Sequence, residues 1–547
     1  MDVCGPHSPD LCERSDQGPK TSSPADSLGY NRNTVGRRRL VRGVAKVMTL
    51  DWQVCSQARL SRDSRFDGKF FIGVFSTKIY CRTICPVPTV KEKNVRYLPT
   101  AAAAAEAGYR PCLRCRPECS PGTPAWFGTS NTVSRALRLI EESGLEDGGM
   151  EGLAERLGVS SRHLRRLFIR HLGASPSAVA KTLRLHFAKK LIDETNLSMI
   201  DVALAAGFGC VRRFNAVIRK TYKRTPTHIR HLAHQKTVQQ EDHYHFHLSF
   251  RPPYHWKGML AFLAERVTPG VETVDLRGYR RTISLDGCHG YFEVSPVEGQ
   301  HVVAVRVQIA DPRFLYLIIE RIRNMFDLNA DWAAIAESLR ADPELTSLLR
   351  AEPGLRIPGC WNGFELTIQA ILGQKMTLTE SITLMGRIVK SYGERISDAD
   401  DLTDLFPTPE ILANANLTSL GLTEDMAETI HALARAVCGG AISFERVIDS
   451  DAFITRLREI PGVDYWTAQY VAMRALGDPD AFPTGELGPV GDADIPRPLR
   501  LKTSSEVDKR AEAWRPWRSY ASMYLWRSAK KRSILKNSQT VSEKMSV

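Results

Sequence analysis

Nowhere in the 547 residues is there a run of about 18 apolar residues, which excludes a hydrophobic membrane-spanning helix. The first twenty residues, MDVCGPHSPDLCERSDQGPK, lack the apolar stretch of a secretory signal. An acidic excess is also missing. Lys and Arg number 74 against 61 Asp and Glu, a formal net charge of +13 that favours a polyanionic partner, nucleic acid or an anionic membrane surface. Cysteine is thin outside one segment: of twelve, six fall between Cys55 and Cys119. With no secretory signal the expected location is the bacterial cytoplasm, and clustering in a cytosolic chain favours metal binding over a disulfide framework. Hydrophobic residues make up 43% and charged residues 25%, enough apolar material for several cores, and the length suggests about three to five domains.

Composition and periodicity divide the chain. Residues 1–47 are polar, end in the basic run Gly36-Arg-Arg-Arg-Leu-Val-Arg42 and read as a disordered extension, with Met48 as an alternative start. Residues 48–122 are compact and cysteine-rich, and Thr123 to Asn131 reads as a short linker. From 131 to 230 apolar residues recur at helical spacing (Leu137, Ile140; Leu153, Leu157; Leu164, Leu167, Phe168). A polar linker is expected over 231–242. Over 243–330 the period shortens to two (Phe246, Leu248, Phe250; Val303, Val305, Val307, Ile309), which predicts strands. Helical patterning returns over 331–530, followed by a polar tail, 531–547. The expected fold class is multidomain and mainly α, with α+β parts.

The most specific spacing is Cys81-x3-Cys85 followed, 26 residues on, by Cys112-x2-Cys115. Two close pairs across a loop can close a tetrahedral four-sulfur site, the geometry Zn²⁺ prefers, and such sites are usually structural. The surrounding words, FDGKFFIGVFSTKIYCRTIC and AGYRPCLRCRP, resemble the N-terminal domain of Ada-type adaptive-response proteins over about residues 50–118. The resemblance implies zinc held by Cys81, Cys85, Cys112 and Cys115. It also implies that Cys81 irreversibly accepts a methyl group from a DNA phosphotriester. A thiolate is the required nucleophile, and methylation would remove one negative charge near DNA. Cys55 and Cys119 lie outside the pattern.

Residues 150–172 read as a short helix ending at Gly158, then a helix capped by Ser160 that carries Arg162, His163, Arg165 and Arg166. The pattern returns over Ile200 to Tyr222, with Arg212 and Arg213, and ends in Lys-Arg-Thr-Pro at 223–226. The two units resemble the double helix-turn-helix of AraC-type regulators, an all-α domain. That likeness implies promoter DNA as one partner, read by these arginines, and RNA polymerase as another.

The segment from Phe246 to about Asn329, with RPPYHWKGMLAFLAER and GVETV, resembles the N-terminal α/β domain of bacterial 3-methyladenine DNA glycosylase II, and its expected role is structural. Further on, LRIPGCW (355–361), Phe364 and AILGQ (370–374) resemble the glycosylase core, as does IPGVDYWTAQYVAMR (460–474), a hairpin between two helices. Such a hairpin offers backbone N–H groups to a DNA phosphate, here through Gly462 and Asp464. The likeness implies a base flipped against Trp466, Tyr470 and Trp526, since an electron-rich ring suits a cationic base, and a carboxylate that supports an oxocarbenium-like sugar.

The chain departs from that family in three places. Glu486 stands where an aspartate is expected, one methylene further out, with Asp492 and Asp494 close behind; Asp464 replaces a glycine of the hairpin, in a place where left-handed backbone would suit Asp; Lys375 occupies the position of an apolar or glutamine wedge. The Pro-Cys-His-Arg core of a second methyl-acceptor domain is absent. Two functions follow as expectations. One is a combined methyl acceptor, transcriptional activator and glycosylase for bases such as 3-methyladenine in double-stranded DNA. The alternative is a methylation-sensing regulator whose glycosylase half is catalytically impaired.

Overall fold

The computed structural model describes residues 51–122, 131–143, 149–234, 243–399, 401–445, 447, 449–483 and 509–544. The cysteine-rich module is built on a four-stranded sheet ordered β3-β1-β2-β4: β1 Phe71–Val74, β2 Ile79–Cys81, β3 Val95–Leu98 and β4 Arg110–Pro111. β1 pairs antiparallel with β2 and β3, whereas β4 runs parallel to β2. The alanine run forms the helix Ala101–Glu106, capped by the Thr100 side chain on Ala103 N.

Seven helices follow: Asn131–Ser143, Gly149–Arg156, Ser161–Leu172, Pro176–Glu194, Met199–Ala205, Val211–Tyr222 and Pro226–His234. Their starts are legible as caps. Ser160, Ser175, Ser198 and the Cys210 sulfur each accept a backbone N–H from the first turn. Glycine in the left-handed region ends the helix at Gly173, φ +69°. The nineteen-residue helix Pro176–Glu194 serves two cores. Val179 and Ala180 join the first three helices, and Leu185, Phe187, Leu191 and Ile192 join the last three.

Next comes a five-stranded antiparallel sheet ordered β5-β9-β8-β7-β6: β5 Tyr244–Ser249, β6 Glu272–Val274, β7 Tyr279–Leu285, β8 Cys288–Pro296 and β9 Val302–Ile309. Strict alternation along β9 puts Val303, Val305, Val307 and Ile309 inside. The helices Trp256–Ala264 and Leu315–Met325 contribute Met259, Leu263, Ile318 and Ile322 to the same core.

The largest core belongs to the helices that follow. At its centre lie Gly363–Gly373 and Tyr465–Ala475, buried on nearly every face, their polar side chains Glu365, Thr367, Thr467, Gln469 and Arg474 included. A short hairpin of β10 Arg395–Ala399 and β11 Leu402–Asp404 is inserted between its helices.

Three boundaries differ from the sequence expectation. The last helix of the seven runs to His234, four residues into the expected linker, whose remainder lies outside the described residues. The closing helix is Arg518–Lys544, so the segment expected as a polar tail continues a helix up to Lys544. Polarity alone suggested a tail, but a helix already nucleated and packed can be extended by polar residues at little cost. The expected separation at 231–242 is not a separation of cores, because Phe214, Ile218 and Ile229 share one apolar cluster with Phe246, Val305 and Ile318. Among the described residues no helix is long and apolar enough to cross a membrane.

Candidate functional sites: a cysteine cluster, basic helices and an aromatic cavity

Cys81 is the last residue of β2, Cys85 lies one turn further on, and Cys112 and Cys115 follow β4. Two backbone bonds set the frame: Cys112 N donates to Tyr80 O at 3.0 Å and Cys85 N to Arg82 O at 3.3 Å. The four sulfurs all lie within 4.8 Å of one another and are buried. Four thiol sulfurs at this separation repel when ionised, and among the described residues no carboxylate or imidazole joins them. A compact divalent ion of borderline softness satisfies such a set, and Zn²⁺ is the ion that four cysteines select. The sulfurs are not equivalent. Cys115 Sγ accepts from Arg82 N at 3.4 Å, and backbone N–H groups of Val87 and Cys115 are directed at Cys85 and Cys112. Outside the cluster, burial pushes the Cys55 thiol up to about 12 and the Cys119 thiol up to about 11, so both keep their protons at neutral pH.

Beside the cluster lies a buried ion pair that the sequence reading did not single out. Arg82 Nε donates to both Asp67 carboxylate oxygens, at 2.9 and 3.1 Å, and Arg82 Nη2 also bonds Oδ2. On the other side Tyr80 OH meets His186 Nε2 of the long helix at 2.9 Å. Arg116, next to Cys115, binds Asp193 at 3.0 Å and Glu194 at 2.6 Å on that helix. Only the arginines near the cysteines hinted at these contacts: Asp67 lies 15 residues from Arg82, and Glu194 lies 78 residues from Arg116.

Arg162, Arg165 and Arg166 are exposed on the helix Ser161–Leu172, and Arg212 and Arg213 on Val211–Tyr222. Arg166 Nη2 donates to His163 Nδ1 at 3.0 Å. Each basic row stands opposite a buried row: Leu164, Phe168 and Leu172 on one helix, Phe214, Ile218 and Tyr222 on the other. Packing therefore turns the arginines outward.

The hairpin joins the helices Ser450–Arg458 and Tyr465–Ala475. Gly462 is exposed with φ +88°, and a Cβ there would meet Thr429 Oγ1 at 2.2 Å, so glycine is required twice over. Asp464 does not adopt the left-handed backbone expected of it. Its φ is −85° and it caps the second helix, Oδ1 accepting from Thr467 N at 2.7 Å. Lys375 is exposed just past the helix Gly363–Gly373 and faces Asp425 at 3.6 Å.

Trp466, Tyr470 and Trp526 come together. The first two sit one turn apart and stack with centroids 4.9 Å apart and planes 15° from parallel; Trp526 lies 6.5 and 6.3 Å from them, tilted. Parallel rings already in contact leave no room for a base between them. The space is next to them: a cavity of about 80 Å³ lined by Tyr470, Trp526, Phe262, Arg266 and Arg356 among others. Phe262 and Arg266 belong to the α/β segment, so that segment is part of the cavity wall as well as a support. Buried Arg474 donates to Tyr470 OH at 2.7 Å, Pro358 O at 2.8 Å and Gly359 O at 3.0 Å, which fixes the tyrosine. Glu486, Asp492 and Asp494 lie outside the described residues.

Comparison with known proteins agrees with this division. The family "Metal binding domain of Ada" matches residues 54–118, a helix-turn-helix domain family matches 153–231, and the AlkA N-terminal domain family matches 245–362. The probable bifunctional transcriptional activator/DNA repair enzyme AlkA of Mycobacterium tuberculosis is 38% identical over 488 residues, 87% of this chain and 96% of that protein. DNA-3-methyladenine glycosylase 2 of Escherichia coli is 31% identical over 282 residues, 51% of this chain and 95% of its own. The Escherichia coli bifunctional transcriptional activator/DNA repair enzyme Ada is 30% identical over 175 residues, 32% and 48% of the two chains. With nearly all of the mycobacterial protein covered at that identity, the chain belongs to the family of the bifunctional transcriptional activator/DNA repair enzyme AlkA.

Proposed function

We propose that this protein is a DNA alkylation-repair enzyme and regulator in one chain. Cys81 accepts a methyl group from a DNA methylphosphotriester, the double helix-turn-helix binds promoter DNA and brings RNA polymerase to it, and the C-terminal half hydrolyses alkylated bases such as 3-methyladenine from duplex DNA. The observation that carries the first activity is the buried cluster of four cysteine sulfurs within 4.8 Å of one another, with Cys81 at the end of its strand. Cys85, Cys112 and Cys115 have backbone N–H groups directed at their sulfurs, which draws electron density from them. Cys81 is the proposed nucleophile among the four. The four cysteines would hold Zn²⁺, which when bound would keep their sulfurs deprotonated at neutral pH. The Cys81 sulfur attacks the methyl carbon, an S–C bond forms, the C–O bond breaks with its electron pair going to the phosphate oxygen, and a phosphodiester leaves. The cysteine ends as a neutral thioether, so the module loses one negative charge and repels DNA less.

For base excision, Trp526, Tyr470 and Phe262 offer aromatic faces around the cavity. Arg474 holds Tyr470 through its hydroxyl. Glu486 is the proposed carboxylate, stabilising charge on the sugar and orienting water. The test is base release from duplex DNA containing 3-methyladenine by the full chain and by Glu486→Gln. Release by the first alone assigns the carboxylate; release by both moves the role to Asp492 or Asp494. Release by neither supports a second reading, a regulator whose C-terminal half binds without excising. That reading is favoured by the Asp464 carboxylate, which occupies the anion position at the hairpin helix.

A further inference from the structure

A line of buried polar contacts connects the cysteine cluster to the aromatic cavity. It starts at Arg82, beside Cys81, whose guanidinium is held by the Asp67 carboxylate. The backbone carbonyl of the same Asp67 accepts from Arg251 Nε at 2.9 Å. Arg251, 1% exposed, sits at the start of the α/β segment and spends its other donors on backbone carbonyls too: Asn329 O at 2.6 Å and Gly122 O. Its own carbonyl accepts from Arg356 Nη2 at 2.7 Å, as does Pro253 O at 3.1 Å. Arg356, 2% exposed, lines the cavity beside Tyr470 and Trp526.

The seams along this line leave no slack. A Cβ on Gly68 would meet Pro121 O at 2.3 Å, one on Gly122 would meet Asn329 Oδ1 at 2.8 Å, and one on Gly354 would meet the Pro253 backbone at 2.6 Å. Lys69 and Asp331 add an ion pair across the same junction. The Arg251 guanidinium, whose donors bind several backbone carbonyls, cannot shift without leaving them unpaired, and its displacement is passed to Arg356 through Nη2, the one Arg356 guanidinium nitrogen with hydrogen-bond partners among the described residues.

We propose that Arg251 is a positioning residue for base excision, fixing the Arg356 wall of the cavity against the metal module so that the cavity's shape depends on that module. The proposal rests on the reading of this cavity as the base site, and its test separates the two. Hydrogen exchange is followed in the full zinc-loaded chain, in Arg251→Met and in the milder Asp67→Asn, with zinc content measured on each sample. Both variants are expected to keep zinc, while the segment Leu355–Ile357 exchanges about tenfold faster or more. Release of 3-methyladenine should fall on the order of tenfold to 100-fold in kcat, the usual cost of a misplacement near 1 Å, with little change in KM. Arg251→Lys, with one cation but no fork, should fall between. If Leu355–Ile357 exchange is unchanged in a folded, zinc-loaded Arg251→Met or Asp67→Asn, the proposal is overturned. If the unaltered chain releases no base, the excision reading fails, and the exchange result still decides whether the coupling exists.

Discussion

Asp464 closes the second hairpin helix as its N-cap, with φ −85° and Oδ1 accepting from Thr467 N. Its negative charge, in a hairpin that the proposed reading sets against DNA, is plain from the sequence. Its use is not, because an N-cap is defined by the backbone it closes, and the left-handed position belongs to Gly462, two residues earlier. Replacing Asp464 with Asn keeps the cap and removes the charge. Duplex binding by the C-terminal half should tighten about two- to fivefold, the effect of about 0.3–1 kcal/mol for one charge at a helix end, read from fluorescence anisotropy at low salt. Asp464→Ala loses the cap as well and should cost about 1 kcal/mol of stability. The cysteines divide in a similar way. Cys55→Ala and Cys119→Ala remove thiols whose protons burial retains, and methyl transfer should persist in both, whereas Cys81→Ser should abolish it.

At the scale of elements, the hairpin is held by a glycine that nothing else can replace. Gly462→Ala places a methyl against Thr429 Oγ1 in a left-handed backbone and should lower unfolding stability by about 1–3 kcal/mol, measurable by denaturant titration. Capping residues and apolar periodicity made the helix-turn-helix units legible down to Ser160 and Ser198, because these are local signals. The cysteine spacing was legible for the same reason. The cavity was legible only in part. Trp466 and Tyr470 share one helix face, but Phe262 arrives from a helix some 200 residues earlier, and no periodicity in either segment announces that meeting. The Asp67–Arg82 pair and the Arg251 anchor escaped for the same physical reason: tertiary packing chooses their partners.

At the scale of the whole molecule, buried titrating groups give opposing pH responses. Burial lowers the His186 pKa from 6.5 to about 4, so the unfolded chain takes up its proton first, and this group's stability contribution is lost as pH falls from 6.5 toward 4. Burial raises Asp327 from 3.8 to about 6, so the folded chain holds that proton longer, and its contribution is lost as pH rises from 3.8 toward 6. Between about pH 4 and 6 the two slopes, each about 1.4 kcal/mol per pH unit, oppose one another. Asp327→Asn keeps an acceptor for Tyr520 and tolerates the left-handed backbone, φ +49°, while removing one slope. The difference between the two stability profiles should therefore grow steadily across that window, and parallel profiles would rule out the assignment.

The claim on which the rest depends is that a repair event is recorded on one sulfur. The full zinc-loaded chain is incubated with duplex DNA carrying methylphosphotriesters, digested and mapped by mass spectrometry. A single added methyl on the peptide containing Cys81, absent from Cys81→Ser and from incubation with unmodified DNA, is the predicted result. A methyl found on Cys85, Cys112 or Cys115 instead, or none on the cluster at all, would contradict the account.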